Sequence, residues 1–352
     1  MPCYHPMILI NTSDMTDPEQ RKIVEKLKLV HKHDRNKCSA STLIVPREIA
    51  EREGVDLRKN NAVVIPCGSC IGCRLDYSRL WAERCVHEAS LHKTNYFLTL
   101  TYDEENLPIG SKGMPTLVKD EISVFMKRFR EAMFRKYGVR DVRFFACGEY
   151  GDKEKRPHYH IILFNCPIDD FTEWHPLVVD GKKKNVRMFS SDGEQLQYSP
   201  LIGSIWTKGT SPVGQVTYES CAYVARYIVK KQKGAGAKIY ADCGILPEYV
   251  RMSRRPGIGF DWFMTNMDEI YTYDGYNMRR GDKVFSVKPG KYCDELLKKE
   301  NPQAFYDLKK HRRDAFYDSI EAKDSIAVDL HRNLVNQEAI TEMRLHQLKR
   351  QL

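Results

Sequence analysis

YFLTLTY at residues 96–102 and VRFFACGEYGDKEKRPHYHIILF at residues 142–164 decide the fold of this chain. The first is a short apolar run rich in aromatic and β-branched residues and reads as a buried strand. In the second, residues 142–149 and 158–164 read as strands, and the turn-rich YGDKEKRP joining them predicts an antiparallel hairpin. Between the two stretches, Ile122, Phe125, Met126, Phe129 and Met133 recur at helical spacing over residues 118–137, and Gly138 supplies a stop. Helices and an antiparallel β core together predict an α+β fold.

Outward from that core, residues 74–93 read as a helix carrying Leu75, Leu80, Ala82, Val86, Ala89 and Leu91. Residues 1–62 are polar and weakly periodic, with one helix over 18–30, and they end in a short apolar run at 62–65 before the cluster PCGSCIGC. Downstream, residues 165–211 read as a long irregular insertion with short strands, 210–217 as another strand, and 218–233 as a helix ended by GAGAK. MSRRPGIG at 252–259 is a loop, and from about Tyr292 two or three charged helices follow.

With 352 residues, 42% hydrophobic and 29% charged, the chain suffices for one large domain with additions or for two. No apolar run approaches the roughly 18 residues needed to cross a bilayer, and MPCYHPMILI lacks the length and positive charge of a signal peptide. A cytoplasmic protein without a membrane partner is expected. The net charge of +9 fits a polyanionic partner. From Lys291 onward twelve Lys/Arg face eleven Asp/Glu, so the excess lies in the first 290 residues and the C-terminal part is not a basic arm. Eleven cysteines, an odd number, do not suit a complete disulfide framework, and Cys147, Cys166, Cys221 and Cys243 read as buried thiols.

His158 and His160 are one residue apart on a strand, so both imidazoles project from one face, as two ligands of one ion require. Alone, such a pair reads more readily as hydrogen-bonded strand residues. The hairpin brings Glu149 beside His158 and makes it a third ligand; its alternative is a turn carboxylate paired with Arg156. Two neutral imidazoles and a carboxylate leave positions on a divalent ion open to phosphate oxygens.

In YVARYIVKK, Tyr223, Tyr227 and Lys230 fall within a narrow arc of one helix face, while Ala222, Ala225, Ile228 and Val229 form an apolar stripe for the core. The phenols are therefore expected on the polar side. A phenol ionises near pH 10 and needs help to act as a nucleophile, from a metal ion that polarises a phosphate and from an ammonium such as Lys230. Two tyrosines at this spacing otherwise pack a core, and Lys230 and Lys231 otherwise form a solvated basic helix end.

Cys67, Cys70 and Cys73, with two residues between successive sulfurs, suit a structural zinc site whose fourth ligand is Cys3 or His5. A reduced or redox-labile thiol cluster and an iron–sulfur cluster are the alternatives. Arg254 and Arg255 read as phosphate contacts on DNA or as an ordinary solvated turn.

In order and spacing, FLTLTY, GEYG with RPHYH, and YVARYIVKK resemble the three motifs of the HUH superfamily of rolling-circle replication initiators. More narrowly, MPCYHP, PCGSCIGCR, WAERC, HEASLH, FLTLTYDEENLP and MSRRPGIG resemble the replication initiators of gokushoviruses, single-stranded DNA phages of the microvirus group, over roughly residues 1–262. The resemblance implies an HUH endonuclease-like central antiparallel β-sheet flanked by helices. It divides the chain into an N-terminal Cys-rich segment (1–93), a catalytic domain (94–262) and a mostly helical accessory region (263–352). It implies magnesium or manganese held by His158, His160 and Glu149, and single-stranded DNA at the phage replication origin as substrate. One of Tyr223 and Tyr227 would form a 5′-phosphotyrosine link and leave a free 3′-hydroxyl, the other would complete the cycle, and Lys230 falls where the family carries a lysine. Host DNA polymerase and helicase would be partners, in the bacterial cytoplasm.

Overall fold

The computed structural model describes residues 3–13, 15–30, 41–151, 154–179, 182–190, 193–230, 234–280, 282–324 and 330–351. The chain divides into two compact units, Met1–Asp76 with Asp294–Leu352, and Tyr77–Cys293.

In the first unit, strand β1 (Met7–Asn11) is central to a three-stranded antiparallel sheet, with β2 (Thr42–Pro46) on one side and β3 (Val63–Ile65) on the other. Helix α1 (Pro18–Val30) closes the core by burying Val24 and Leu27 among Ile8, Ile10, Leu43 and Val45. The sequence predicted α1 and the run around β3 but not β1 and β2. Each is only five residues long, and α1 lies between them, so no hairpin signal marks their pairing. Charged helices Pro302–Asp324 and Leu330–Gln351 complete this unit, and the Tyr317 hydroxyl donates to the Ala62 carbonyl at 2.7 Å.

The second unit takes its elements in the order α2 (Ile71–Ser90, from Tyr77), β4 (Asn95–Thr101), α3 (Glu121–Tyr137), β5 (Arg143–Tyr150), β6 (Pro157–Phe164), β7 (Val213–Gln215), α4 (Tyr218–Lys230) and β8 (Tyr249–Met252). Its five strands form one sheet in the order β7-β4-β6-β5-β8, every pair antiparallel. The two-residue period of the strands sorts side chains between two layers. Leu98, Leu100, Ala146, Tyr159, Ile161 and Leu163 face α3 and meet Ile122, Phe125, Met126, Phe129 and Met133. Phe145, Cys147, Ile162 and Phe164 face the other way, toward Trp81, Ala82 and Cys85 of α2 and Cys221, Val224 and Ala225 of α4. Each large side chain so buried contributes about 1.5–3 kcal/mol.

The α+β class expected from the sequence is borne out: a central antiparallel sheet lies between helical layers. Helix α3 ends as predicted, with Gly138 in the left-handed region at φ 71° and its N–H bonded to the Phe134 carbonyl. The strand expected over 210–217 shrinks to β7. Strand β8 was not expected; all four of its residues are half-buried and lack the apolar run of a central strand, yet they pair with Phe145–Gly148 on the free edge of β5.

Candidate active site

Register builds the site. Within the β5–β6 hairpin Glu149 is paired with His158 and Cys147 with His160, so the carboxylate stands between the two imidazoles on one sheet face. Glu149 Oε1 lies 2.8 Å from His158 Nε2 and 3.0 Å from His160 Nε2. Glu149 and His160 are buried, at 1% and 5% exposure, while His158 is half-buried. Burial, the largest influence, pushes the Glu149 carboxyl up, but hydrogen bonds from His158 and His160 outweigh it and hold the group at about 2. Arg156, the alternative partner weighed for Glu149, instead bonds Glu104 and the Tyr102 carbonyl.

The outer ring nitrogens show what the cluster is fit for. His158 Nδ1 is 3.2 Å from the Arg156 carbonyl, which can only accept, so Nδ1 carries the proton. Nε2 can then donate to Glu149 only when the ring is protonated, and in the neutral ring a cation must lie between its lone pair and the carboxylate. The ligating atoms of Glu149, His158 and His160 all lie within 4.8 Å of one another, so this donor set fits a divalent metal ion.

His160 Nδ1 lies 3.0 Å from the Thr99 hydroxyl, which orients the ring from behind. Sequence reasoning missed Thr99. The signal was present in FLTLTY, where Phe97, Thr99 and Thr101 alternate with the core residues Leu98 and Leu100, and Thr99 pairs directly with His160. On the opposite face Tyr159 is fully buried. Its hydroxyl accepts from Val118 N–H at 3.0 Å and lies 3.0 Å from the Tyr102 hydroxyl, which donates to Glu121; Lys208 Nζ is 2.8 Å from both Glu121 oxygens. Gly148 leaves room for that ring, since a Cβ there would meet Leu117 at 3.0 Å and Tyr159 at 3.1 Å.

Helix α4 packs over β5 and β6. The Tyr223 ring stands edge-on to His160, centroids 5.1 Å apart at 82°, and 6.2 Å from Phe97, and the Arg226 guanidinium is 5.7 Å from its centroid. The expectation that the phenols lie on the polar side is corrected for Tyr223. It is half-buried against the apolar cluster beside Cys221, Val224 and Ala225, because the helix rests on the very face that carries the histidines. Tyr227 and Lys230 follow on the same helix, which runs to Lys230; Lys231 lies outside the described residues.

Arg254 and Arg255 are exposed but are not brought to this cluster. Their loop leaves β8 beside Phe144, at the end of β5 away from Glu149, where Ser253 N–H bonds the Phe144 carbonyl. Arg143 holds the Pro256 and Gly257 carbonyls at 3.0 and 2.9 Å, Arg84 holds that of Ile258 at 2.9 Å, and Glu88 accepts from Gly259 N–H at 2.7 Å. In the first unit the sulfurs of Cys3, Cys67, Cys70 and Cys73 come together, whereas His5 bonds Glu338 at 2.7 Å. Cys147, Cys166 and Cys221 are buried thiols as expected; Cys243 is only half-buried.

The family described as replication-associated protein ORF2/G2P matches residues 95–232, the stretch that holds Thr99, Glu149, His158, His160 and Tyr223. The replication-associated protein ORF2 of Spiroplasma virus 4 is 36% identical over 263 residues, covering 74% of this chain and 76% of that protein. The chain belongs to this replication-associated protein family. The replication-associated protein VP4 of Bdellovibrio phage phiMH2K is 33% identical over 249 residues, 69% of this chain and 71% of its own, and ORF4 of Chlamydia phage 1 is 32% identical over 179 residues, 51% and 41%. The resemblance to microvirus replication initiators is borne out by these relatives. No solved structure matches the chain. Among the described residues no helix of this replication-associated protein is long and apolar enough to cross a membrane.

Proposed function

We propose that this replication-associated protein starts rolling-circle replication by nicking and rejoining single-stranded phage DNA at its origin, as an HUH-type endonuclease with a tyrosine nucleophile. The observation that carries the reading is the edge-on approach of the Tyr223 ring, 5.1 Å, to His160 in the Glu149–His158–His160 cluster. Residues 94–262 are the catalytic region in this reading, with residues 1–93 and 263–352 as additions to it.

Glu149, His158 and His160 would hold magnesium or manganese, which when bound draws electron density from a phosphate and offsets its charge. The ionised Glu149 supplies the negative charge that a divalent cation needs, and Thr99 and the Arg156 carbonyl keep the imidazoles aimed. Tyr223 or Tyr227 attacks the scissile phosphorus through its phenolic oxygen. The bond from phosphorus to the 3′ oxygen breaks, the phenol proton is lost, and the 3′ oxygen ends as a hydroxyl. The phosphodiester energy is kept in the 5′-phosphotyrosine, so rejoining needs no ATP. Lys230, two turns beyond Tyr223, would supply positive charge to the phosphate as it reacts. The second tyrosine cuts the regenerated origin, and the freed 3′-hydroxyl closes the displaced strand. Host DNA polymerase extends the nicked strand with a host helicase, in the bacterial cytoplasm. Arg254 and Arg255, from their pinned loop, would contact phosphates away from the reacting one, and Lys231 would join them.

The test is incubation of the purified protein with labelled origin-bearing single-stranded DNA and magnesium or manganese. A covalent protein–DNA band is expected that requires metal and disappears in His160→Ala and in the Tyr223→Phe, Tyr227→Phe double variant. Tight binding without any such band would leave a non-catalytic DNA-binding protein.

A further inference from the structure

The second ligand cluster belongs to the first unit and is untouched by the chemistry above. Its origin lies in strand pairing. Met7 of β1 is in register with Ile65 of β3, so the segment before β1 and the segment after β3 emerge at the same end of that sheet. The first carries Cys3 and the second carries Cys67, 64 residues later. Cys70 precedes α2, and Cys73 is in its first turn. Gly68, at φ 74°, turns the chain between Cys67 and Cys70.

The four sulfurs all lie within 4.8 Å of one another. Cys67 and Cys73 Sγ are 3.9 Å apart, as are Cys3 and Cys70 Sγ. Those separations far exceed a disulfide bond of about 2.05 Å, and all four residues are free thiols. They match the edge of a tetrahedron of sulfurs around zinc, about 3.8 Å for bonds of about 2.3 Å. Backbone N–H groups point at the sulfurs as well: Cys67 N to Cys3 Sγ at 3.2 Å, Tyr4 N and Cys70 N to Cys70 and Cys67 Sγ at 3.4 Å, and Cys73 N to Cys70 Sγ at 3.5 Å. Such donors disperse the charge of metal-bound thiolates, as partners around a metal centre commonly do.

We infer that Cys3, Cys67, Cys70 and Cys73 bind one zinc ion as a tetrathiolate site, tying the chain ahead of β1 to the start of α2. Four protein ligands leave no position open for water or substrate, so the ion's role is structural. Soft sulfur ligands select against the hard magnesium or manganese ion proposed for the carboxylate and imidazoles, so the two sites are chemically separable. The inference stands apart from the nuclease reading, and neither depends on the other.

The test is metal analysis of the full-length protein, purified without chelating resin or chelator, beside Cys3→Ser, Cys70→Ser and His160→Ala variants. One zinc per chain is expected in the unmutated protein and in His160→Ala, and none in the cysteine variants. Because a cysteine variant can fail through misfolding, cobalt replacement in the unmutated protein provides a second readout. Strong visible d–d bands with sulfur-to-cobalt charge transfer are expected for tetrahedral thiolate ligation. A folded, zinc-free protein whose four thiols alkylate freely would overturn the inference, as would iron and inorganic sulfide in place of zinc.

Discussion

Glu149, His158 and His160 sit within two strands whose pairing continues past them toward Arg143 and Phe164, whereas Cys3, Cys67, Cys70 and Cys73 lie just beyond the ends of β1 and β3 and at the first turn of a helix. The first cluster draws its geometry from backbone hydrogen bonds and from a core on both sheet faces. The second is held by short loop segments, the first turn of a helix and N–H groups directed at its sulfurs. The first set of side chains is shaped by the sheet itself, whereas a zinc ion at the second would add a cross-link between the chain ahead of β1 and the start of α2.

The sharpest way to break that contrast is at the reaction. Replacing both Tyr223 and Tyr227 by Phe should lower covalent adduct formation on the order of 10³-fold or more while leaving the thermal midpoint nearly unchanged; withholding magnesium and manganese should have the same pair of effects, followed by gel assay and circular dichroism. Next in size, Cys70→Ser should cost on the order of 4 kcal/mol in the first unit, read by chemical denaturation, because a structural ion is lost. An equal loss of stability on withholding magnesium and manganese alone, with zinc retained, would erase the distinction. Thr99→Val removes the partner of His160 Nδ1 without disturbing strand pairing, and should weaken metal affinity or adduct yield about 10–100-fold, measured by metal titration of the reaction.

The smallest effect is a pH dependence. In the metal-free protein the Glu149 carboxyl is depressed from its ordinary 4.5 to about 2, so its contribution to stability is full above pH 4.5 and is lost as the pH falls toward 2. The stability difference between the unmutated protein and Glu149→Gln, followed by denaturant titration in EDTA, should shrink across that window. A difference that grows on acidification would sink the assignment.

Much of this was legible because periodicity and chemistry coincide. The turn YGDKEKRP fixes the hairpin, the hairpin pairs Glu149 with His158, and the spacing of Ile122 to Met133 with Gly138 fixes α3. The apolar side of α4 was read correctly at Ala222 and Ala225, but Tyr223, expected on the polar side, also packs against the core, since a tyrosine ring is apolar over most of its surface. What stayed hidden depends on pairing at a distance: β1 with β2 across a helix, β8 on an edge supplied by β5, and Cys3 rather than His5 beside Cys67, selected by the β1–β3 register. Arg254 and Arg255 follow β8 at the end of β5 away from Glu149, a placement that exists only once the sheet is assembled.

Tyr159 carries a consequence for how finely the histidines are aimed. A strand can roll about its own axis by a few degrees without breaking its ladder, and such a roll would swing both imidazoles together. The phenol hydroxyl, anchored behind the sheet to Val118 and Tyr102, acts as a stop against that rotation, so the direction in which the pair points is kept by a fastening on the far side. Tyr159→Phe would keep the shape of the core and remove only the fastening, turning a rigid sight into a loose one.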